Sequence, residues 1–197
     1  MMNSAPQSHT RLLMTRENLE AIPEFALPAE FALRWYRPGD EAHWLSIHRR
    51  ADQYNPITPD TFAQQFGADF EQLGQRQAYL IGPDQEVIGT GAAWFDNNFG
   101  GTRIGRVHWV AIVPEYQGRG LSKPLMCAVC RRLHELGHGR AYLTTSAARA
   151  RAIQLYLRFG FVPLIRDEAE RASWRDVMEA VGLQARAKLP TPNPKSE

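Results

Sequence analysis

The sequence predicts a mixed α/β domain, in which a mostly antiparallel sheet with one parallel β-α-β unit carries helices on both faces. Short apolar and β-branched runs alternate with helical patterns along most of the chain. The strand–helix–strand order over residues 105–145 requires a parallel pair with a right-handed crossover. The turn at Pro83 and Asp84 joins two strand patterns into a hairpin, which requires antiparallel pairing. A mixed sheet satisfies both requirements.

The predicted elements begin with a strand in residues 31–40 that ends at a Pro-Gly turn. Asp40 is predicted to cap a first helix, and a second short helix has Thr58 as its cap and Pro59 at its first position. The later elements are strands at 77–82, 87–95 and 105–113, a helix at 121–136, a strand at 141–146, a helix at 149–159 and a strand at 161–165.

The two ends of the chain depart from this pattern. Residues 1–28 are polar, contain Pro6 and Pro23 and show no sustained periodicity, so we expect a partly ordered N-terminal arm before a main domain at 29–166. After the main domain we expect a helical extension at 167–188 and, because of its prolines and polarity, a disordered tail at 189–197. The apolar face of the extension consists of Trp174, Val177, Met178 and Val181.

The composition argues against several classes of protein. A chain of 197 residues suits a single core, and its formal net charge of +2 does not call for nucleic acid or another polyanion as a partner. The N-terminal residues lack the apolar run of a signal peptide, and no stretch approaches the ~20 apolar residues of a membrane span. The chain has only two cysteines. We therefore expect a cytoplasmic protein, either a monomer or a homodimer, without a membrane partner.

The two cysteines, Cys127 and Cys130, form a C-x-x-C pattern that also occurs in redox and metal sites. A tetrahedral metal site needs four ligands, and the sequence holds no second cysteine pair. Both thiols also fall on the apolar face of the helix at 121–136, beyond its first turn. We interpret them as packing residues and expect no metal.

Residues 110–126 contain a strand end, a turn with Gly118 and Gly120, and the start of a helix. Amide N–H groups freed at such a turn, together with the positive end of the helix dipole, form a site for a phosphate group. Glycine also lets a ligand approach the backbone closely. The G-x-x-x-x-G-K-[ST] and G-x-G-x-x-G loops are both absent. From the residues alone, the turn is either an anion site or a plain strand–helix connector.

Two motifs together resemble those of the GNAT superfamily of N-acetyltransferases. Residues 117–122 are similar to its acyl-CoA loop, [QR]-x-x-G-x-[GA], and residues 149–161 to its N-x-x-A-x-x-L-Y-x-x-x-G-F motif. The residues in register with the second motif are Ala152, Leu155, Tyr156, Gly160 and Phe161. The resemblance covers about residues 105–165, and it implies a GNAT-like fold with an acyltransferase domain at 29–166.

The resemblance implies transfer of an acetyl or other acyl group from acyl-CoA to a primary amine, by direct attack in a ternary complex and without a metal. The pantetheine arm would pair with the backbone of Val110, Ala111 and Ile112, and the pyrophosphate would lie on the turn amides. The turn residues so implied are Gln117, Gly118, Arg119, Gly120, Leu121, Ser122 and Lys123. Arg119 and Lys123 would add charge. Arg149 departs from the family pattern, because it replaces the asparagine that often holds the pantetheine arm; an arginine there can instead reach a phosphate or a carboxylate.

Tyr156 matches the family tyrosine that lies near the thioester sulfur, which implies a general acid; the alternative is an aromatic residue of the core. His108 is a candidate general base because histidine titrates in the useful range, although a strand histidine is more often structural. Thr144 and Thr145 occupy the strand from which some relatives supply a carboxylate, so a proton path through water is a third interpretation. His43 and His48 lie on the first predicted helix and are expected to face solvent or the acceptor.

The acceptor is expected between the first two predicted strands and next to the segment after residue 95. Tyr54, Asn55, Trp94 and Asp96 would form a mixed aromatic and polar pocket. A small amine, an amino acid and a protein N-terminus are all open as acceptors, since a fold does not specify a substrate. The alternative function is a non-catalytic acyl-CoA-binding sensor or an interaction protein.

Overall fold

The computed structural model describes residues 10–180 and residue 182, which form one seven-stranded sheet and six α-helices. In chain order the elements are β1 (Arg11–Arg16), β2 (Ala32–Trp35), α1 (Asp40–Ala51), α2 (Thr61–Phe66), α3 (Phe70–Arg76), β3 (Gln77–Ile81), β4 (Val87–Phe99), β5 (Thr102–Ile112), a 3-10 turn (Pro114–Tyr116), α4 (Ser122–Glu135), β6 (Ala141–Ser146), α5 (Ala150–Arg158), β7 (Val162–Leu164) and α6 (Glu168–Ala180).

The sheet confirms the predicted mixed topology. Its strand order is β2-β3-β4-β5-β6-β1-β7, and every neighbouring pair is antiparallel except β5 and β6. α4 is the crossover between these two parallel strands, as the strand–helix–strand order required. The predicted hairpin is β3 and β4.

Helices cover both faces of the sheet. Residues of α4, α5 and α6 pack into one buried cluster with Ala93 of β4, and residues of α1, α2 and α3 pack into a second cluster with Ala92 and Trp94. Successive residues of a strand point to opposite faces, so Ala93 packs on one side of β4 and Ala92 and Trp94 pack on the other. α6 contributes Trp174 and Val177 to the first cluster. Val181 and residues 189–197, to which the sequence predictions also refer, lie outside the described residues.

The prediction of an N-terminal arm over residues 1–28 was wrong for the segment that forms β1. This strand lies inside the sheet between β6 and β7, and Leu12 and Met14 are completely buried. The segment is short and has arginines at both ends, Arg11 and Arg16, so its apolar run carried no recognisable period. The folded domain therefore includes residues N-terminal to the predicted boundary at residue 29.

Three details of the helices also correct the sequence predictions. α1 has Gly39 as its N-cap, and the Asp40 carboxylate instead accepts hydrogen bonds from the backbone amide of Arg37 and from Arg34. α2 begins at Thr61, three residues beyond the predicted cap Thr58. The helix α3 was not predicted, because its pattern is short and contains a glycine.

Cys127 and Cys130 both lie in the core on α4, as the sequence predicted. Burial raises the pKa of Cys130 to about 12, so its thiol stays protonated at neutral pH. The Cys127 thiol donates to the backbone oxygen of Pro23. Within the described residues, no helix is long and apolar enough to span a membrane.

The position of β1 in the core predicts a large difference between two substitutions on neighbouring strands. Met14→Ala empties a fully buried site and is expected to cost ~2–5 kcal/mol of unfolding free energy. Val162→Ala, on β7 at a residue that is 48% exposed, is expected to stay within ~0.5 kcal/mol of the parent. Urea denaturation measures both values. Equal, small losses would show that β1 is not part of the folded core.

Candidate active site

The site is a cleft that opens where β5 and β6 separate. The two strands pair only at Gly105 with Ala141 and Arg106 with Tyr142, although β5 continues to Ile112. Beyond that point they border a cavity of about 1470 Å³. No strand pairs with the cleft-facing edge of residues 107–112 in the described chain. This edge offers backbone donors and acceptors to a ligand, since such groups need hydrogen-bond partners.

A β-bulge bends β5 at the middle of this edge. Ala92 faces His108 and Thr90 faces Ala111, so Trp109 and Val110 together stand opposite Gly91. Trp109 has a φ of +48°, a strained conformation for a residue with a side chain. Its indole N–H donates to Gln65 Oε1 at 2.9 Å, and its ring packs on Trp44 at 5.1 Å between centroids. These contacts from α1 and α2 hold the bulge in place.

The glycine turn lies at the other end of the cleft, between the 3-10 turn and α4. Gly118 and Gly120 have φ values of +77° and +79°, which glycine adopts without steric cost. The side-chain amide of Gln117 donates to the backbone oxygen of Ile112 at 2.8 Å and so fixes the turn to the end of β5. The N-terminus of α4 follows at Ser122. Turn amides and helix dipole together form an anion site at this position.

Most residues predicted to bind the cofactor lie on the cavity wall. They are Val110, Ala111, Ile112, Gln117, Gly118, Gly120, Leu121, Ser122 and Arg149. Arg119 and Lys123 are not on the wall. The guanidinium of Arg119 lies over the ring of Tyr116, 4.7 Å from its centroid, and the ammonium of Lys123 lies 5.5 Å from that of Phe25.

Tyr156 lies on α5 and lines the cavity. Burial raises the pKa of its phenol, opposed in part by the charge of Arg149, so the hydroxyl carries its proton at neutral pH. The adjacent wall is β6, where the buried hydroxyls of Thr145 and Ser146 have no hydrogen-bond partner within the described chain. Tyr156, Thr145 and Ser146 therefore line the same cavity, with the phenol of Tyr156 as its proton donor.

His108 also lines the cavity, and its tautomer follows from its neighbours. Gln65 Oε1 accepts from the Trp109 indole, so the same oxygen can only accept from His108 Nε2, 3.1 Å away. The proton is therefore on Nε2, and Nδ1 is the atom able to accept one. Burial, followed by the positive charge of Arg106, holds the pKa of His108 well below its usual value. The imidazole is neutral, which a proton acceptor requires.

His48 of α1 was expected to face solvent or the acceptor, and it lies on the cavity wall but is only 2% exposed. Its Nε2 has no hydrogen-bond partner in the described residues, and its ring packs on Trp44 and Trp109. Burial lowers the pKa of His48 to about 4, and the charge of Asp52 opposes the shift. His43, on the same helix, is exposed and lies away from this cavity.

An ion pair connects the two sides of the cleft. Arg149 Nη2 lies 2.8 Å from Asp52 Oδ1, and the guanidinium also lies over the ring of Tyr54. Asp52 accepts further bonds from Asn55 Nδ2 and from the Tyr54 amide. Burial alone would raise the pKa of the Asp52 carboxyl, but these bonds and Arg149 hold it below the usual value. Tyr54 and Asn55, two of the four residues predicted to contact the acceptor, line the cavity.

The structure does not bring Trp94 and Asp96 to the cavity. The ring of Trp94 is buried against Phe66, with centroids 5.1 Å apart, and Asp96 Oδ2 accepts from the Tyr142 hydroxyl at 2.9 Å. Sequence reasoning missed several residues on the cavity wall, because the tertiary fold alone brings them there. They are Arg11, Asp52, Gln65 and Arg106.

Comparison with known proteins agrees with this geometry. The model of the "Acetyltransferase (GNAT) family" matches residues 42–161, more than half of the chain. The chain is 32% identical over 158 residues to a mycothiol acetyltransferase of Arthrobacter sp. (strain FB24), which covers 77% of this chain and 48% of that protein. It is 30% identical over 151 residues to a mycothiol acetyltransferase of Streptomyces coelicolor, covering 72% and 46%. The chain spans about half the length of the curated relatives it matches.

Two solved structures show the same fold. A GCN5-related N-acetyltransferase from Sphaerobacter thermophilus has a TM-score of 0.64 at 20% identity, covering 78% of this chain and 48% of that chain. The ribosomal-protein-S18-alanine N-acetyltransferase from Escherichia coli has a TM-score of 0.53 at 21% identity, covering 66% and 76%. At these identities the likeness concerns the fold alone.

The buried, neutral His48 predicts a loss of stability in acid. Its folded-state pKa of about 4 lies below the ordinary value of 6.5, so protonation favours the unfolded chain as the pH falls through this window. Between pH 7 and pH 5 this one group accounts for about 2 kcal/mol of lost unfolding free energy. His48→Gln should lack that part of the loss.

Urea denaturation at the two pH values measures the effect. His43→Gln, at the exposed histidine of the same helix, is the matched control and should behave as the parent does. A drop of the same size in the parent and in His48→Gln would show that His48 is not held neutral by burial.

Proposed function

Because the chain belongs to the acetyltransferase (GNAT) family, we propose that it transfers an acetyl group, or another acyl group, from acyl-CoA to a primary amine. The observation that carries this proposal is the unpaired edge of β5 at residues 107–112, which leads directly to the glycine turn. An extended amide-bearing arm with a phosphate group at one end matches both features. Acyl-CoA has this shape and this chemistry.

In the proposed pose, the pantetheine arm adds to the free edge of β5 as a short strand would. Its amides pair with the backbone of Val110, Ala111 and Ile112, and the pyrophosphate lies on the amides of the turn from Gln117 to Ser122. Thr145 and Ser146 of β6 line the same cavity. Arg149 pairs with Asp52, so its contact with the cofactor requires an exchange of partners.

The reaction proceeds by direct attack of the neutral amine on the thioester carbonyl. The new C–N bond forms as the C–S bond breaks, and a backbone N–H at the bulge stabilises the oxyanion. Tyr156 gives its proton to the departing thiolate. The proton that the amine loses passes to Nδ1 of His108 or to a chain of water. Alignment of the two reactants supplies much of the rate enhancement.

The acceptor named by the curated relatives is not carried over, because the chain spans only about half of each. Tyr54 and Asn55 line the acceptor side of the proposed site. Small-molecule and peptide amines are both compatible with the family.

Acetyl-CoA binding is expected to depend on Gly120. Its positive φ and its position in the turn mean that Gly120→Glu adds backbone strain and places a negative charge at the phosphate site. Titration calorimetry should show binding by the parent and none by the variant at millimolar ligand.

Gly100→Glu is the matched control, because Gly100 also has a positive φ, +58°, and lies in the β4–β5 turn outside the cavity. It should bind acetyl-CoA as the parent does. Absence of binding by the parent itself would reject the proposed function.

Tyr156→Phe is expected to lower kcat by about 10²–10⁴-fold, which is the usual worth of a positioned proton donor. The KM for acetyl-CoA should change little, because the substitution removes only the hydroxyl and leaves the ring against Phe161. Release of free CoA measures the rate, and thermal unfolding checks that the fold is intact. Turnover at the parent rate would make Tyr156 a packing residue, and no turnover by the parent with any amine, despite acetyl-CoA binding, would favour the non-catalytic sensor.

A further inference from the structure

Two arginines line the cavity away from the glycine turn. Arg106 lies on β5, where the strand is about to separate from β6, and Arg11 lies on β1, on the other side of β6 and opposite Ser146. Arg11 Nη2 is 3.4 Å from the hydroxyl oxygen of Thr144. Burial lowers the pKa of Arg106, and Tyr142 opposes this shift more strongly than Arg11 adds to it. We call Arg11 and Arg106 the arginine pair.

Arg106 makes fewer polar contacts than Arg16, the buried arginine of β1. It is half-buried, its Nε is buried without a hydrogen-bond partner, and within the described chain no carboxylate lies within ion-pair distance of it. Arg16, which is more deeply buried, donates to the backbone oxygens of Asn18, Ala21 and Phe159. Partial burial of a guanidinium without an ion-pair partner is unfavourable, and an anionic ligand that accepts its hydrogen bonds would offset this cost.

The nearby carboxylates are already engaged. Asp96 accepts the Tyr142 hydroxyl at 2.9 Å, and the guanidinium of Arg106 lies over the face of the same tyrosine ring. Asp52, the one carboxylate among the described residues of the cavity wall, is paired with Arg149. Asp96 keeps its negative charge when it accepts from the neutral Tyr142 hydroxyl, so the arginine pair and Asp96 together leave one net positive charge near Arg106.

The location assigns this charge to the acceptor rather than to acyl-CoA. Arg106 and Ile112 are six positions apart on β5, which corresponds to about 20 Å along a strand. The phosphate site begins beyond Ile112, and the bulge at Trp109 lies between the two ends. His108, the candidate proton acceptor, is two residues from Arg106 on the same side of the strand.

We propose that the acceptor is a small amine that also carries an anionic group, a carboxylate or a phosphate, which the arginine pair binds while the amine faces the bulge. This inference rests on the proposed acetyl transfer and specifies its substrate class. Guanidinium groups match the planar geometry of carboxylate and phosphate oxygens and bind them in pairs of charge-assisted hydrogen bonds. Polyamines, in contrast, meet like charge at this end of the cleft.

The test compares amines that differ in one anionic group. Glycine and glutamate are assayed beside their amides, and O-phosphoethanolamine beside ethanolamine, with spermidine as the polycation; release of free CoA gives kcat/KM. The first set reports a carboxylate source and the second a phosphate source. In at least one set, kcat/KM is expected to be about 10-fold or more higher for the anionic member, since a charge-assisted hydrogen bond contributes a factor of this size.

The variants assign the preference to the arginine pair. Arg106→Gln should reduce the preference by about 10-fold or more with the KM for acetyl-CoA unchanged, and Arg106→Lys should keep part of it. Each ratio uses the same two amines in parent and variant, so differences in amine basicity cancel. Arg103→Gln is the control, because Arg103 lies on the same strand, is exposed and stacks on Phe95 outside the cavity.

Equal turnover of anionic and neutral amines, a preference for spermidine, or an equal loss for every amine in Arg106→Gln would overturn this proposal while the acetyl transfer itself stands. Binding of acetyl-CoA without turnover of any anionic amine would overturn it too. Absence of acetyl-CoA binding by the parent would instead remove the proposed function on which it rests.

Discussion

The short pairing between β5 and β6 is the constraint on which the site depends. Two pairs of residues, at Gly105 and Arg106, hold the strands together before they separate. Gly105 is suited to this junction, since a Cβ there would meet the backbone oxygen of Arg140 and the side chain of Leu133 at 3.1 Å. Beyond Arg106, no strand of the described chain pairs with this edge of β5, and a bound chain of amides would supply hydrogen-bond partners for it. The same parallel pair requires the crossover helix α4, whose N-terminus then meets the end of the free edge.

The bulge at Trp109 and Val110 bends the free edge at the point where the acyl transfer is proposed to take place. The positive φ of Trp109 is a strained backbone conformation. The rings of Trp44 and His48 pack on the Trp109 indole, and Gln65 Oε1 accepts its N–H, so these contacts hold the bulge in that conformation. These contacts come from α1 and α2, and the loop between the two helices carries Tyr54 and Asn55. Packing on one face of the sheet thus positions the backbone that the cofactor is proposed to meet.

The sequence predicted those parts of the fold that are encoded locally. The strands β3 to β7, the helices α4 and α5 and the glycine turn each carry their own period or turn residues, so their positions followed from short windows. β1 could not be predicted in this way, because a short apolar run between arginines becomes a strand only when β6 and β7 flank it. The burial of His48 was missed for the same reason. Trp94 was misplaced because the strand alternation buries it under Phe66.

The central claim is that the cleft between β5 and β6 is the acyl-CoA site, and a crystal structure of the protein with CoA tests it most directly. The account predicts density for the pantetheine arm along residues 110–112, with its amides hydrogen-bonded to the β5 backbone, and the pyrophosphate on residues 117–122. The ion pair between Arg149 and Asp52 should be the contact that changes most when CoA binds. CoA bound elsewhere, with the edge of β5 still unpaired, would contradict the account.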